Sequence, residues 1–183
     1  MLLAAPLGTA QAGDHVAPLT AFAKEQIASW VQSDIVVNAI KAQNQKNAGL
    51  TQADIDKLDK QWRSETSAGG GSLINRVLAN DLSKYLKDIK AKAGGVFTEI
   101  FVMDNKGLNV GQSDVTSDYW QGDEGKWKNT YGKGPGAIDI GEIEQDESTQ
   151  AFQSQISMTV VDPSSGEPIG AVTVGVNVDE ILN

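Results

Sequence analysis

The hydrophobic pattern of this chain changes its period at Gly94 and Gly95, and that change limits the fold more than any other feature. Before the two glycines, apolar residues recur at helical spacing. After them, β-branched and aromatic residues alternate with polar ones, which is the spacing of strands. A block of helices followed by a block of strands predicts the α+β class with a mostly antiparallel sheet.

Three helices are predicted ahead of the two glycines. The first runs from Pro18 to about Asn44 along one apolar stripe, with a lapse at Asp34, and its roughly 28 residues make it long for a globular domain. A helix of this length is typical of a stalk, of an interface between two copies of the chain, or of a helix that packs behind a sheet. Packing on the chain's own sheet is the preferred use, with a homodimer through this helix as an addition.

The second predicted helix starts at Thr51, which can form a capping box with Asp54, and it ends near Glu65. The third runs from a Ser72 cap to Ile89 without interruption. The glycine pair then ends it, as glycine commonly does after a helix.

Five strands follow. Their predicted bounds are 96–103, 108–113, 137–143, 152–160 and 169–178. Residues 104–107 form the turn between the first pair, and residues 162–168 form the hairpin loop between the last pair. One face of the fourth strand is mainly polar, with Gln153, Gln155, Ser157 and Thr159. The fifth strand carries valines on one face and residues with small side chains elsewhere, including Gly170 and Gly175. Glycine inside a strand often marks a close approach of a ligand or of another backbone.

The connection between strands two and three holds an aromatic cluster. The chain has four Trp, three Tyr and four Phe residues, and Tyr119, Trp120, Trp127 and Tyr131 all fall within residues 114–131. Trp and Tyr combine an apolar face with a polar edge, so they suit the wall of a partly wet binding pocket. The alternative, that these rings close one end of the sheet as core residues, stays open.

Composition excludes several classes of function. A formal charge of −9 argues against a nucleic-acid partner, because binding phosphates requires clustered Lys and Arg. No run of about 18 apolar residues is present, so no segment is predicted to span a membrane. The absence of cysteine excludes disulfides and thiol chemistry. The single histidine, His15, is expected to be a solvated terminal residue, and we expect neither a metal site nor a cofactor.

The first residues, MLLAAPLGTAQA, are apolar and free of acid, and Ala10-Gln11-Ala12 fits a small-x-small cleavage site. We therefore expect residues 1–12 to be a signal-peptide remnant and residues 13–183 to form one sensor-type domain. That interpretation predicts a periplasmic or secreted protein.

From Pro18 to Asn183 the layout resembles the single-Cache domain, the PAS-like extracellular sensor module of bacterial receptors, of the PDC type. The resemblance is carried by the long leading helix and by three segments: FVMDNKGLNVGQSD, SDYWQGDEGKW and VDPSSGEPIGAVTVGVNV. It implies a PAS-like five-stranded antiparallel sheet with helices packed on it and a ligand held between the sheet and the loop after strand two. It also implies binding without chemistry, of organic acids, amino acids or amines, and a role in signal transduction or chemoreception.

Family members are commonly flanked by membrane-spanning helices and a signalling domain, and this sequence has neither. The expectation is an excised sensor domain or a free-standing binding protein that signals to a membrane receptor or a kinase.

The residues expected to bind the ligand are Gln112, Asp118, Tyr119, Trp120, Lys126, Trp127 and Tyr131. The four aromatic residues are the predicted pocket walls, and the other three are polar candidates. An anionic ligand would use Lys126, Lys128, Arg76 or backbone N–H groups. A cationic one would use the ring faces with Asp118 or Asp123 nearby, and both alternatives stay open.

A carbohydrate-binding or carbohydrate-active protein that uses the same aromatic residues is the alternative function. An enzyme is not expected, because the sequence has no G-x-S-x-G, H-E-x-x-H or P-loop motif, and its serines lack a histidine partner.

Overall fold

The computed structural model describes residues 15–145 and 151–182. The predicted signal-peptide remnant lies outside these residues, so the domain boundary expected near residue 13 stays a prediction. Within the described residues, no helix is long and apolar enough to cross a bilayer.

The first helical region is interrupted where the sequence predicted one long helix. It consists of α1 (Val16–Phe22), a π-helical turn (Ala23–Ile27), α2 (Ala28–Val31) and α3 (Asp34–Lys46). The prediction of an unbroken helix was wrong at residues 32–33, because Ser33 is extended (φ −67°, ψ 152°) and its carbonyl accepts from the Val36 and Val37 N–H groups. The lapse in the apolar stripe at Asp34 marks this new helix start.

Helix α4 (Gln52–Ser67) begins as predicted, with the Thr51–Asp54 capping box present. The third predicted helix is two helices, α5 (Ser72–Leu78) and α6 (Asp81–Lys92). The break falls at Asn80, whose Oδ1 accepts from Ser83 N at 2.7 Å and whose Nδ2 donates to Val110 O at 2.8 Å. Asn80 therefore caps α6 and also ties it to the sheet. Gly71, not Ser72, occupies the cap position of α5.

The described strands form one antiparallel sheet. Their bounds are β1 Phe97–Met103, β2 Asn109–Gln112, β3 Ile138–Ile140, β4 Glu144–Gln145, β5 Phe152–Val161 and β6 Pro168–Asn177. The order across the sheet is β2-β1-β6-β5-β3, and the two-residue β4 pairs with β5 beside β3. Two short helices, α7 (Gly125–Lys128) and α8 (Asp179–Leu182), complete the fold. The predicted α+β class with an antiparallel sheet is confirmed, with β4 as an additional short strand.

One face of the sheet packs against the helices and forms the main core. Its strand residues are mostly Val and Ile, and its helix residues come from the first helical region and from α6. Trp30 and Val37 are both buried in this core, so the apolar stripe packs on the sheet of its own chain. This is the intramolecular use that the sequence favoured.

A second, smaller core lies beneath α4 and α5. Trp62 is its largest buried side chain and stacks on Tyr119 with ring centroids 5.3 Å apart. Leu108, in the turn between β1 and β2, completes the contact with the sheet. Gly107 lets this turn approach the aromatic loop, because it has φ +81° and a Cβ there would lie 2.5 Å from the Gly122 backbone.

His15 contradicts the expectation of a solvated terminal residue. It is only 8% exposed, and its Nε2 lies 3.1 Å from Gly141 O. This hydrogen bond attaches the start of α1 to the chain segment between β3 and β4.

Candidate functional site

The face of the sheet that points away from the main core carries a row of polar side chains. Residues directly opposite each other in antiparallel strands project on the same side. The pairings Gln112–Phe101, Phe101–Thr173, Thr173–Ser157 and Ser157–Asp139 therefore define one row across five strands. Three of its polar members, Gln112, Thr173 and Ser157, are fully or almost fully buried.

This buried row is only partly satisfied by the protein's own hydrogen bonds. Ser157 Oγ and Thr173 Oγ1 lie 2.9 Å apart and bond to each other. Gln112 Oε1 accepts from Asn109 Nδ2 at 3.0 Å, but Gln112 Nε2 is buried without a partner among the described residues. Asn109 Oδ1 is likewise buried and without a partner there. Buried polar atoms are nearly always hydrogen-bonded, so unused donors and acceptors of this kind are a reason to look for a ligand.

Several cavities lie on this face of the sheet, and two of them adjoin the loop. The smaller has a volume of about 120 Å³ and is lined by Glu99, Phe101, Thr116, Ser117, Gln121, Lys126 and Gln155. The larger, about 460 Å³, shares Glu99, Lys126 and Gln155 with it and extends past Glu124 towards β4. The three shared side chains stand between the two volumes, so we treat them as one site and call it the loop-side cavity.

Lys126 is the cationic group of the loop-side cavity. Its side chain is 18% exposed, its Nζ lies 2.9 Å from Glu124 Oε2, and it stands over the Phe101 ring at 5.4 Å from the centroid. The ring face and the carboxylate both stabilise the ammonium group. A lysine held in this way can offer a charged donor to an anionic ligand group.

Glu99 is the anionic group that both parts of the cavity share. Its Oε1 accepts from Gln155 Nε2 at 2.9 Å across the strand β6 that separates them. The residue between them is Gly175, where a Cβ would lie 2.8 Å from Glu99 Cγ. The missing side chain at Gly175 therefore leaves the space that the Glu99 side chain occupies.

The loop that covers the cavity is held by α4. Trp62 Nε1 donates to Thr116 O at 2.8 Å, and Asp59 Oδ1 accepts from the N–H groups of Tyr119 and Trp120 at 2.9 and 3.0 Å. Asp59 also pairs with Arg63 at 2.7 Å and raises the pKa of that guanidinium. Because Thr116 lines the cavity, these contacts fix one wall of the site.

The predicted aromatic residues are packed in two different places. Tyr119 is 5% exposed and is covered by Trp62, and the Trp120 indole donates to Lys106 O at 2.8 Å. Burial, with a smaller effect of Asp104, raises the pKa of Tyr119 to about 12. Since Trp62 covers one face of the Tyr119 ring, this residue gives no support to the carbohydrate alternative.

Trp127 and Tyr131 stack on each other with centroids 4.9 Å apart, beside Phe101 and Met103 at the other end of β1. The Trp127 indole donates to Asp104 O at 3.1 Å. Burial, and then the Asp104 charge, raises the pKa of the Tyr131 phenol. The four aromatic residues therefore pack around the loop and support it, and they are not among the residues that line the loop-side cavity.

The predicted polar residues have three different positions. Lys126 lines both parts of the cavity, and Gln112 lies next to Phe101 on the cavity face. Asp118 pairs with Arg63 at 3.0 Å. Its backbone carbonyl accepts from Gln121 Nε2 at 3.1 Å. Asp118 therefore positions the cavity residue Gln121 rather than lining the cavity itself.

Sequence reasoning did not select Glu99, Gln121 or Thr116. An acid inside the apolar run FTEIFVM was a usable signal for Glu99, because a charge in the interior of a central strand needs a partner. Thr116 and Gln121 gave no such signal, since polar residues are ordinary in loops. Among the described residues, no group of three or more His, Asp or Glu side chains is placed to hold a metal ion.

No protein-family model matches this sequence, and no curated protein matches it. Similarity is found to solved structures. The ligand-binding domain of the Campylobacter jejuni chemoreceptor Tlp3, in complex with 4-methylisoleucine, is 10% identical with a TM-score of 0.39, over 85% of this chain and 65% of that one. The sensor domain of the V. cholerae histidine kinase DctB is 11% identical with a TM-score of 0.40, over 91% of this chain and 56% of that one.

The E. coli DcuS sensor domain is 14% identical with a TM-score of 0.38, over 69% of this chain and 92% of that one. The chain thus spans 65% and 56% of the length of the Tlp3 and DctB structures. All three are described as sensor or ligand-binding domains. A similarity this remote assigns neither a ligand nor a partner to this chain.

Proposed function

We propose that this protein is an extracytoplasmic sensor domain that binds a small polar metabolite in the loop-side cavity. The observation that carries the proposal is the cavity between the polar face of the sheet and the loop, lined by Glu99 and Gln155 from the strands and by Lys126 from the loop. A face that served packing alone would be apolar, as the opposite face is. Hydroxyl and amide groups at this depth are favourable when a ligand completes their hydrogen bonds.

The charges of the cavity favour a ligand that carries both an ammonium and a carboxylate group. Lys126 offers a cation for the carboxylate, and Glu99 offers an anion for the ammonium group. Three further glutamates, Glu124, Glu142 and Glu144, line the larger part of the cavity and add to its attraction for the ammonium group. Gln121, Gln155 and the hydroxyl of Thr116 add neutral hydrogen-bonding groups. Within the proposed class of organic acids and amino acids, an amino acid therefore matches the lining better than a dicarboxylate does.

The proposed task is binding without catalysis, followed by a signal to a partner such as a membrane receptor or a kinase. A periplasmic or secreted location, and a homodimer formed through the first helical region, belong to the same proposal. They rest on the resemblance to single-Cache modules and on the signal-like residues 1–12.

The test is a thermal-shift screen of amino acids, organic acids, amines and sugars, followed by calorimetry. A ligand at about 100 times its Kd is expected to raise the melting temperature by about 5–10 °C. For the amino acid that binds, Lys126→Gln is expected to weaken affinity by about tenfold to a hundredfold, because a charged hydrogen bond is lost. Glu99→Gln is expected to weaken it by a similar factor.

Lys128→Gln is the matched control, since Lys128 lies one residue beyond Trp127 and its side chain donates to Asp123 O at the surface. That variant is expected to bind as the wild type does. Binding that is unchanged in both Lys126→Gln and Glu99→Gln would show that the ligand binds elsewhere. Chemical turnover of any screened compound would show that the protein is an enzyme and would contradict the proposed sensor function.

A further inference from the structure

A second cavity lies on the helix-covered side of the sheet, away from Lys126. It is a groove of about 320 Å³ between the π-helical turn and the last turn of α6. Six of its eight lining residues are apolar: Phe22, Trp30, Ile89, Ala93, Val96 and Phe97. Its volume is at the lower end of the range of about 300–1,000 Å³ that small-molecule sites occupy.

The groove combines this apolar wall with a single charge. Its two polar lining residues are Gln26 and Lys92. Lys92 makes no ion pair with any described residue, and no carboxylate lines the groove. An apolar groove whose only ionised lining group is cationic is complementary to an anion with an apolar body.

Trp30 supplies a second and independent observation. It is 9% exposed, lines the groove, and its indole Nε1 is buried without a hydrogen-bond partner among the described residues. An indole N–H in this position is stabilised by any acceptor that reaches it. The neighbouring π-helical turn, Ala23–Ile27, brings Gln26 to the groove, and π-helical turns are frequent at functional sites.

The helix end beside the groove does not oppose an anion. The last carbonyls of α6 are used, since Ala93 N donates to the carbonyls of Ile89 and Lys90 and Gly94 N donates to that of Ala91. Lys92 in the last turn offsets the negative end of the helix dipole, whereas Lys90 is paired with Asp114 at 2.7 Å.

From these observations we propose that the groove binds a medium-chain carboxylate, a fatty-acid anion of about ten carbons, with its chain along Phe22, Ile89 and Val96 and its carboxylate at Lys92. This site is separate from the loop-side cavity and does not depend on the function proposed for it.

The experiment is calorimetric titration of the whole chain with decanoate below its micellar concentration, with decanol as the neutral analogue. Decanoate is expected to bind with one site per chain and decanol about tenfold more weakly. Lys92→Gln is expected to weaken decanoate by about tenfold and to leave decanol unchanged, because only the charged contact is removed. Lys92→Arg is expected to restore decanoate binding.

Ala93→Phe fills the groove and is expected to abolish the binding of both compounds. Lys87→Gln is the matched control, because Lys87 is exposed on the same helix and contacts only Leu78 O. Lys126→Gln is expected to leave decanoate binding unchanged, so the two proposed sites can be tested independently. If Ala93→Phe fails to fold, Lys92→Gln and Lys92→Arg alone decide the outcome.

Three results would overturn the proposal. The first is equal binding of decanol and decanoate with no effect of Lys92→Gln, which would make the groove an apolar crevice without anion recognition. The second is decanoate binding that Ala93→Phe does not change. The third is a stable dimer that binds no decanoate, since a second copy of the chain would then be the occupant of the groove.

Discussion

Tyr119 shows how the packing of one residue sets a measurable pH dependence. Burial, with a smaller effect of Asp104, raises the pKa of its phenol to about 12 in the folded protein, whereas an unfolded tyrosine titrates near 10. A group whose folded pKa is raised contributes stability that is complete below pH 10 and is lost as the pH rises to 12. We expect an ultraviolet titration of wild type to show a phenolate step near pH 12 that Tyr119→Phe lacks.

The control is Tyr131→Phe, which keeps Tyr119 and should keep that step. If Tyr119→Phe instead removes a step near pH 10, the phenol is open to solvent and the stack on Trp62 is not formed.

At the residue scale, the sequence patterns selected one charged residue that lines the loop-side cavity, and the site residues as a set stay a prediction. Lys126 and Gln112 were selected and lie on the cavity face, whereas Tyr119 and Trp127 were selected for their amphipathic rings and serve as supports. An aromatic ring that lines a ligand pocket and one that packs in a hydrophobic core fit the same sequence pattern. The role of Tyr119 depends on the ring against which it packs, and that ring, Trp62, lies 57 residues earlier in the sequence.

At the scale of elements, Asn80 joins two helices and the sheet. Its side chain caps α6 and donates to Val110 O, so Asn80→Ala removes one cap and leaves a carbonyl of β2 without its partner. The expected loss is about 2 kcal/mol of unfolding free energy, measured by urea denaturation. Asn75→Ala, at an exposed position on α5, is the control and should change stability by less than about 0.5 kcal/mol. Equal losses in the two variants would mean that Asn80 has no special role.

Asp162 gives the hairpin between β5 and β6 an acid-sensitive attachment to α3. Lys41 Nζ lies 2.6 Å from its carboxylate, and this contact, with the Ser164 hydrogen bonds, lowers the pKa of Asp162 to about 2. A depressed folded pKa contributes stability that is present above the unfolded value near 4 and is lost as the pH falls to 2. We expect the unfolding free energy of wild type to fall more between pH 4 and pH 2 than that of Asp162→Asn.

Measuring both proteins at pH 7 provides the reference. Parallel pH profiles for the two proteins would show that the Lys41 contact does not persist in solution.

Elements were predictable where the local signal was strong. The Thr51 capping box and the period-two strands β5 and β6 lie close to where the sequence placed them. The break at Asn80 was missed because the apolar stripe continues across the interruption. The break at Ser33 was missed although the stripe lapses at Asp34, because neither proline nor glycine stands there. A stripe records which face of a helix is buried, and it does so equally well for one helix or for two consecutive helices.

At the scale of the whole molecule, the main core and the smaller core around Trp62 are expected to differ in stability. Trp62 fills the smaller core and is absent from the larger one, so Trp62→Ala is expected to cost about 3–5 kcal/mol. We expect hydrogen exchange to increase in residues 52–78 and 113–122 while strands β1, β5 and β6 stay protected.

Val174→Ala is the reference variant, because Val174 belongs to the main core and its loss should raise exchange in the sheet. If Trp62→Ala raises exchange uniformly over the whole chain, the two cores unfold as one unit.

The α+β class followed from the order of the elements, but the cavity did not. It depends on the register that places Glu99, Gly175 and Gln155 in one row, and these residues come from three strands spread over 77 positions of sequence. Each strand by itself has one face of polar or small side chains. Only the pairing, which long-range contacts decide, brings those faces together.

The ion pair between Lys126 and Glu124 has a consequence for the proposed ligand site. An incoming carboxylate would share the lysine with Glu124, and the two negative groups would repel each other. Exchanging Glu124 for a neutral residue is therefore expected to strengthen the binding of an anionic group and to weaken that of a cationic one. Glu124 would thus set the range of ligand concentrations to which the proposed sensor responds.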